Sequence, residues 1–329
     1  MALLEQQCPK RMVYGPCGGV RPDLSCEMAS RPCPFATSGE AVSWLGPPAE
    51  KRPLLGSSKP LVLTDFTVRP FDLSSVDAVA TALHGSCDGV LVGEHHNRPD
   101  FPPTLMTSLL AAAGLPAWIT LTCRDRNRVV LEQELAGLLA AGAAGVLCVT
   151  GDGRGHDVRP DVTQVFDIDS TRLAALAASL GLMVAVAEAP DAPPIDLRPK
   201  RLREKQRAGA QVCLLNHVAS PARVAEFIGQ AQANGASLPI IAGVAVFTDE
   251  RSARALSLPG LGLDPVVVER VLSAKDPVAA GIEAAVTEAQ ELLATDGVVG
   301  VNLSGLASGR GEVFAAGIKA EVGREVLGR

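Results

Sequence analysis

Eight short apolar runs, each followed by a helical stretch, occupy the chain from Pro60 to its end and leave few folds open to it. The runs are Leu61-Val62-Leu63 (ending at Asp65), Gly89 to Val92, Trp118 to Leu121, Val146 to Val149, Met183 to Val186, Val212 to Leu215, Pro239 to Ala242 and Val298 to Asn302. Helices are expected near Leu73–Leu83, Thr104–Ala113, Arg128–Ala141, Ser170–Leu180, Arg198–Ala208 and Pro221–Asn234, then within Arg251–Ala294 and near Gly311–Val326. Apolar strands alternating with helices imply a parallel sheet covered by helices. Eight such units in roughly 270 residues match an α/β fold of the (β/α)8 TIM-barrel type in count and length. A doubly wound open sheet is the alternative. In a barrel the chemistry belongs at the C-terminal ends of the strands. Here those ends carry Asp65, Glu94, Thr122, Asp152, Glu188, Asn216 and Asn302, a largely polar set suited to a ligand site.

The segment before Pro60 is different. It is rich in Pro, Gly, Cys and Ser, and Gly46 to Pro53 reads as a linker. This divides the chain into a small cysteine-rich module with its linker, residues 1–57, and a barrel, residues 58–329. A net charge of −6 with 3% aromatic residues argues against nucleic acid and against an anionic membrane surface. The first ten residues hold no apolar signal core, and no apolar run reaches the length of a membrane span. These features point to a cytoplasmic protein, in which disulfides are not expected. Cys87, Cys123, Cys148 and Cys213 lie in apolar segments and read as buried core thiols.

The stretch from Ile119 to Asp152 contains Leu121-Thr122-Cys123-Arg124-Asp125-Arg126-Asn127 and Thr150-Gly151-Asp152, and Val165 to Ser170 and Arg201 to Ala210 follow in order. This series resembles the methylenetetrahydrofolate reductases across nearly the whole barrel. The resemblance implies a (β/α)8 enzyme holding FAD or FMN, with NAD(P)H as electron donor, that reduces the methylene bridge of a folate to a methyl group. Such chemistry needs a general acid to open the folate's five-membered ring at N10, and a hydride for the resulting iminium carbon. By resemblance Asp65 is the general acid, in a place where the family usually has Glu. Asn216 stands where the family has a Gln that binds the pterin. Asp152 corresponds to an Asp beside the flavin, and Lys205 to a Lys near its ribityl or phosphate region. Thr120 and Gly93 stand where some members have a flavin-contacting His and Thr. Read on their own, Asp65 could cap a helix, Asp152 could be a turn residue, Asn216 a buried satisfied amide and Lys205 a surface helix residue. His217, next to Asn216, should point away from the site if the strand stays extended.

Cys8, Cys17, Cys26 and Cys33 are set among Gly and Pro in the spacing C-x8-C-x8-C-x6-C. The segment resembles a cysteine-rich module that accompanies some of these reductases. The four thiols could hold a [4Fe-4S] cluster or Zn, the glycines letting backbone amides approach sulfur, or they could stay unligated. Glu94-His95-His96, with His156 and Asp157 in another loop, is a weak metal motif, because adjacent His side chains diverge. Gly305 to Gly311 follows the last strand, where barrels often bind phosphate, and could equally be a mobile loop. Three functions therefore stand as expectations. The first is a reductase making 5-methyltetrahydrofolate through flavin or directly from NADH. The second is a diverged folate-dependent paralogue, suggested by the Asp and Asn replacements. The third is a non-catalytic binding or electron-transfer subunit. The partners expected are a small-molecule folate and, beyond it, a second copy of the chain or an electron-transfer protein.

Overall fold

The computed structural model describes residues 2–36, 40–49, 59–94, 98–154, 159–256 and 261–329. After a short helix α1 (Ala2–Gln7) the chain alternates as β1 (Leu61–Phe66), α2 (Leu73–Leu83), β2 (Gly89–Val92), α3 (Pro103–Ala112), β3 (Ala117–Thr122), α4 (Arg128–Ala140), β4 (Gly145–Val149) and α5 (Ser170–Ser179). It continues as β5 (Val184–Glu188), α6 (Leu197–Arg207), β6 (Val212–Leu215), α7 (Pro221–Ala233) and β7 (Ile240–Phe247). Helices α8 (Glu250–Leu256), α9 (Pro265–Ser273) and α10 (Pro277–Leu293), strand β8 (Val298–Ala307) and α11 (Glu312–Leu327) complete it. The strands close into one parallel barrel in sequence order, β8 pairing with β1. The open-sheet alternative is thereby excluded.

Side-chain alternation along the strands sorts the residues. Leu63, Leu91, Trp118, Leu147, Leu214 and Ile241 point into the barrel and fill it. Val62, Ile119, Val146, Val186, Cys213 and Val301 point outward and form the larger core under the helices. Trp118 needs room from its neighbour: a Cβ on Gly145 would lie 2.4 Å from the indole. Helix starts follow side-chain capping, with Asp72, Asn127, Asp169, Ser220 and Asp276 each accepting from an amide one turn on. Strands β7 and β8 run past the expected Ala242 and Asn302, to Phe247 and Ala307, and pair through two register shifts. The excess length raises this side of the barrel mouth. Cys87, Cys123, Cys148 and Cys213 are all buried, as expected. Among the described residues no helix is long and apolar enough to cross a membrane.

The N-terminal segment packs on the barrel mouth. Buried Asp169, the N-cap of α5, also accepts the Val13 N–H at 2.9 Å. Trp44 N–H donates to Glu204 of α6, and Ala49 N–H to the Arg207 carbonyl, so the described part of the expected linker lies along that helix.

Candidate active site at the barrel mouth

Alternation in the strands places Asp65, Thr120 and Asn216 two residues beyond the inward-pointing Leu63, Trp118 and Leu214. These three side chains therefore crown the barrel interior. They line a cavity of about 470 Å³ with Gly93, Glu94, His217 and Asn302. A second cavity of about 570 Å³ shares Asp65, Thr120 and Asn216, and adds Asp152, Lys205, Lys10 and Cys17. The expected catalytic and cofactor residues are thus brought to one mouth.

Asp65 does not cap a helix and has no Arg partner among the described residues. Its Oδ1 accepts from Asn302 Nδ2 at 2.8 Å and its Oδ2 from Gly305 N–H at 3.1 Å. Both donors belong to the overlong β8. Gly305 has φ +94°, a conformation that favours glycine and aims its amide at the carboxylate. Lys319 of α11 is enclosed and donates to the Asp65 carbonyl at 2.9 Å, fixing the end of β1, and burial pushes its pKa down. Each carboxylate oxygen keeps lone-pair capacity toward the cavity. Asn216 is exposed at the cavity, not a buried satisfied amide. His217 lines the same cavity, contrary to expectation, because β6 ends at Leu215 and the alternation stops there. Its Nε2 lies 3.1 Å from the Leu256 carbonyl, and burial lowers its pKa.

Lys205 is not a surface residue. It is buried on α6, donating to Glu188 at 2.7 Å and to the Ala187 carbonyl. Glu188 lies in the opposite phase from inward Ala185 and faces α6. Arg198 and Arg201 stand 3.5 Å from it, and all four groups are enclosed. Burial alone would raise the Glu188 pKa; Lys205, Arg201 and Arg198 outweigh this and hold it at about 2. Burial also pushes Lys205 below its ordinary range, against the pull of Glu188. Sequence reading missed this cluster. The signal was there: Arg198, Arg201, Leu202 and Lys205 occupy the helix face that should be apolar.

Glu94 is committed elsewhere. It accepts from Thr122 N–H and Oγ1 at 3.1 and 2.7 Å, and from Arg126 at 2.7 Å. His95 and His96, and His156 and Asp157, lie outside the described residues. In the loop after β8, Asp249 accepts from Ser308 Oγ at 2.9 Å and Gly309 N–H at 2.7 Å. A protein carboxylate thus takes the anion position considered for a phosphate. Against the effect of burial, the Gly309 amide and the Ser252 and Ser308 groups hold Asp249 at about 2.

Among the described residues no group of three or more His, Cys, Asp or Glu side chains is placed to hold a metal ion. Cys8 and Cys33 pack with Met12, Val20 and Phe35 in a small apolar cluster. Cys17 sits at its edge and donates to Glu27 Oε1 at 3.2 Å. Burial, with Glu27 close by, pushes the Cys17 thiol up to about 12 despite Lys10, so it is held protonated. With Cys17 bonded to Glu27, the described residues as placed form no S4 metal site. The module's glycines also have other work. Gly19 leaves space for the Glu27 carboxylate, 2.0 Å from where a Cβ would lie. Gly15, at φ +121°, lies against Arg201, whose Cγ and Cδ would be 2.8 Å from a Cβ. Gly15→Ala should therefore cost about 1–3 kcal/mol from overpacking alone, with backbone strain added. Denaturant unfolding of the variant checks this; an unchanged midpoint would show that the module does not press on α6.

Fold and site together define a (β/α)8 protein with a polar mouth built around a fixed carboxylate. The sequence matches the methylenetetrahydrofolate reductase family over residues 90–309, and the chain belongs to that family. Among solved structures it is similar to an uncharacterized Clostridium thermocellum protein that binds two copies of 5-methyl-5,6,7,8-tetrahydrofolic acid. That pair is 12% identical, with 82% of this chain and 96% of that chain covered and a TM-score of 0.60. A mutant tryptophan synthase α-subunit from Pyrococcus furiosus is 13% identical, with 82% and 99% covered and a TM-score of 0.48. The first of these likenesses shows the barrel fold. No curated protein matches the sequence.

Proposed function

We propose that the chain is an oxidoreductase that reduces 5,10-methylenetetrahydrofolate to 5-methyltetrahydrofolate, with hydride passing directly from a reduced nicotinamide. The observation that carries this reading is the Asp65 carboxylate, pinned by Asn302 and Gly305 at the inner rim of the cavity that also holds Asn216. The family membership and the folate bound by the Clostridium thermocellum protein support a folate as substrate.

Asp65 gives a proton to N10, which takes the electron pair of its bond to the bridging carbon. That carbon becomes an iminium with N5. Hydride from the nicotinamide adds to it, and N5 recovers the iminium electron pair. Asp65 then regains a proton from solvent. The Asn216 amide can hold the pterin through paired donor and acceptor contacts, though with less reach than the Gln of relatives. A side chain would fit at Gly93, since a Cβ there meets nothing within 4 Å, so its absence widens this wall of the cavity.

The test is anaerobic turnover of the full chain with methylenetetrahydrofolate and NADH or NADPH in turn. The expected result is NAD(P)H oxidation coupled one-to-one to 5-methyltetrahydrofolate, without added flavin. Binding of 5-methyltetrahydrofolate with no turnover on either donor would instead support the diverged paralogue.

A further inference from the structure

We propose that the N-terminal segment occupies the polar groups that a flavin's ribityl and phosphate tail would use at the barrel mouth, so that the chain carries no flavin and Cys17 becomes a wall of the reaction site. The wall assignment rests on the folate and nicotinamide reading above; the exclusion of flavin does not.

Resemblance ties Asp152 and Lys205 to the flavin, and the protein's own N-terminal residues bond to the groups beside both of these cavity-lining positions. On the Asp152 side, Lys10 Nζ donates to the Gly151 carbonyl at 2.7 Å, and the Gly153 N–H donates to Glu27 Oε2 at 3.2 Å. Lys10 and Glu27 also form an ion pair. Met28 Cγ lies 2.4 Å from where a Cβ on Gly153 would stand, so the segment is seated directly on that loop. On the Lys205 side, Arg198 donates to the Cys17 carbonyl at 2.9 Å, and Gly15 covers Arg201.

An anionic tail would need just these groups. A backbone N–H and a guanidinium are what a phosphate recognises. Here the amide of Gly153 is spent on the Glu27 carboxylate. The guanidinium of Arg198 is spent on the carbonyls of Ala192, Pro193 and Cys17. Lys205 is spent on Glu188. Admitting a phosphate would expose Lys10, which is 2% accessible, and would set the new anion beside Glu27. The space left between Cys17 and Gly18 on one side and Asp65, Thr120 and Asn216 on the other is a cavity whose lining cations, Lys10, Arg124, Arg201 and Lys205, each already face a protein carboxylate. Seven of the eight cysteines are buried; Cys17 alone is partly exposed, so its labelling reports on this cavity.

The full chain is incubated with FMN or FAD and filtered, and retained flavin is read by absorbance. Separately, alkylation of Cys17 by iodoacetamide, slow because the thiol is held protonated, is followed by mass spectrometry over hours at about pH 9, with and without NADH or 5-methyltetrahydrofolate. Amide exchange of the peptide spanning Gly151 to Gly153 is measured in wild type and in the Lys10→Ala/Glu27→Ala variant. The expected results are no retained flavin, slower Cys17 alkylation with either ligand, and slow exchange in wild type that becomes several-fold faster in the variant. Retention of one flavin per chain overturns the proposal. So does unprotected exchange at Gly153 in wild type, a result that does not depend on the variant folding. If the ligands bind by fluorescence but leave Cys17 alkylation unchanged, the wall assignment fails. If neither ligand binds while flavin is still excluded, the functional reading fails, and the seating of the N-terminal segment stands.

Discussion

Asp65→Asn is expected to lower folate reduction by roughly a hundred- to ten-thousand-fold, the usual contribution of a positioned general acid, with nicotinamide binding retained. The side chain keeps its size, but an amide cannot supply an acidic proton. It also disturbs the local bonds. One carboxylate oxygen becomes an NH2 group, and it must face either the Asn302 amide donor or the Gly305 N–H, both of which also donate. Some loss of stability follows, which a melting curve separates from the loss of turnover. The informative comparison is Asp65→Glu, the residue usual in relatives. It should restore measurable activity if the site tolerates one more methylene. Wild-type turnover in Asp65→Asn would remove Asp65 as the proton donor, whereas joint loss of fold and nicotinamide binding would make it a structural residue.

Glu188→Gln is expected to have the largest effect on stability. It leaves Lys205, Arg198 and Arg201 enclosed without the carboxylate they share. Removing one member of a buried ion cluster costs about 3–5 kcal/mol, because the remaining charges stay desolvated. In a domain of this size that is a melting-temperature drop on the order of 10 °C. The double variant Glu188→Gln/Lys205→Met should lose less than Glu188→Gln alone, since it removes one of the stranded cations. Additive losses would mean that the cluster is not electrostatically coupled. The same carboxylate sets an acid limit. Its folded-state pKa is held at about 2, below the ordinary 4.5, so its contribution is complete above pH 4.5 and is lost as pH falls through about 2. Acid unfolding should therefore lose this protection in Glu188→Gln, which has no carboxylate there to titrate.

Much of the barrel was legible in the order of residues, because strand–helix alternation is a local pattern. Gly89–Val92 and Val212–Leu215 were read to the residue, as was the helix Leu73–Leu83. Asp65 and Thr120 were legible for the same reason, since a strand's period of two carries its phase to its end; Asn216 follows one residue past β6. Legibility failed where a long-range partner sets the outcome. Strands β7 and β8 extend each other through mutual pairing, and that extension delivers Gly305 and Asn302 to Asp65. His217 turned into the cavity because the strand stopped before it.

The sequence by itself determined the class of fold, the end of the barrel that carries the site, and the family, since periodicity and a matched run of residues need no knowledge of what lies opposite in space. Only the tertiary structure decided the roles of the charged and sulfur-bearing groups. Lys205, read as a cofactor-binding cation with a surface position as the alternative, is buried against Glu188. Cys17 read as one of four metal ligands and instead bonds Glu27 at the mouth of the barrel. Gly15, in the cysteine-rich segment, makes room for Arg201. A charge or a thiol acts through whatever stands within a few ångströms of it. Here those neighbours come from segments far along the chain, placed together only when the barrel closes and the N-terminal segment packs across its mouth.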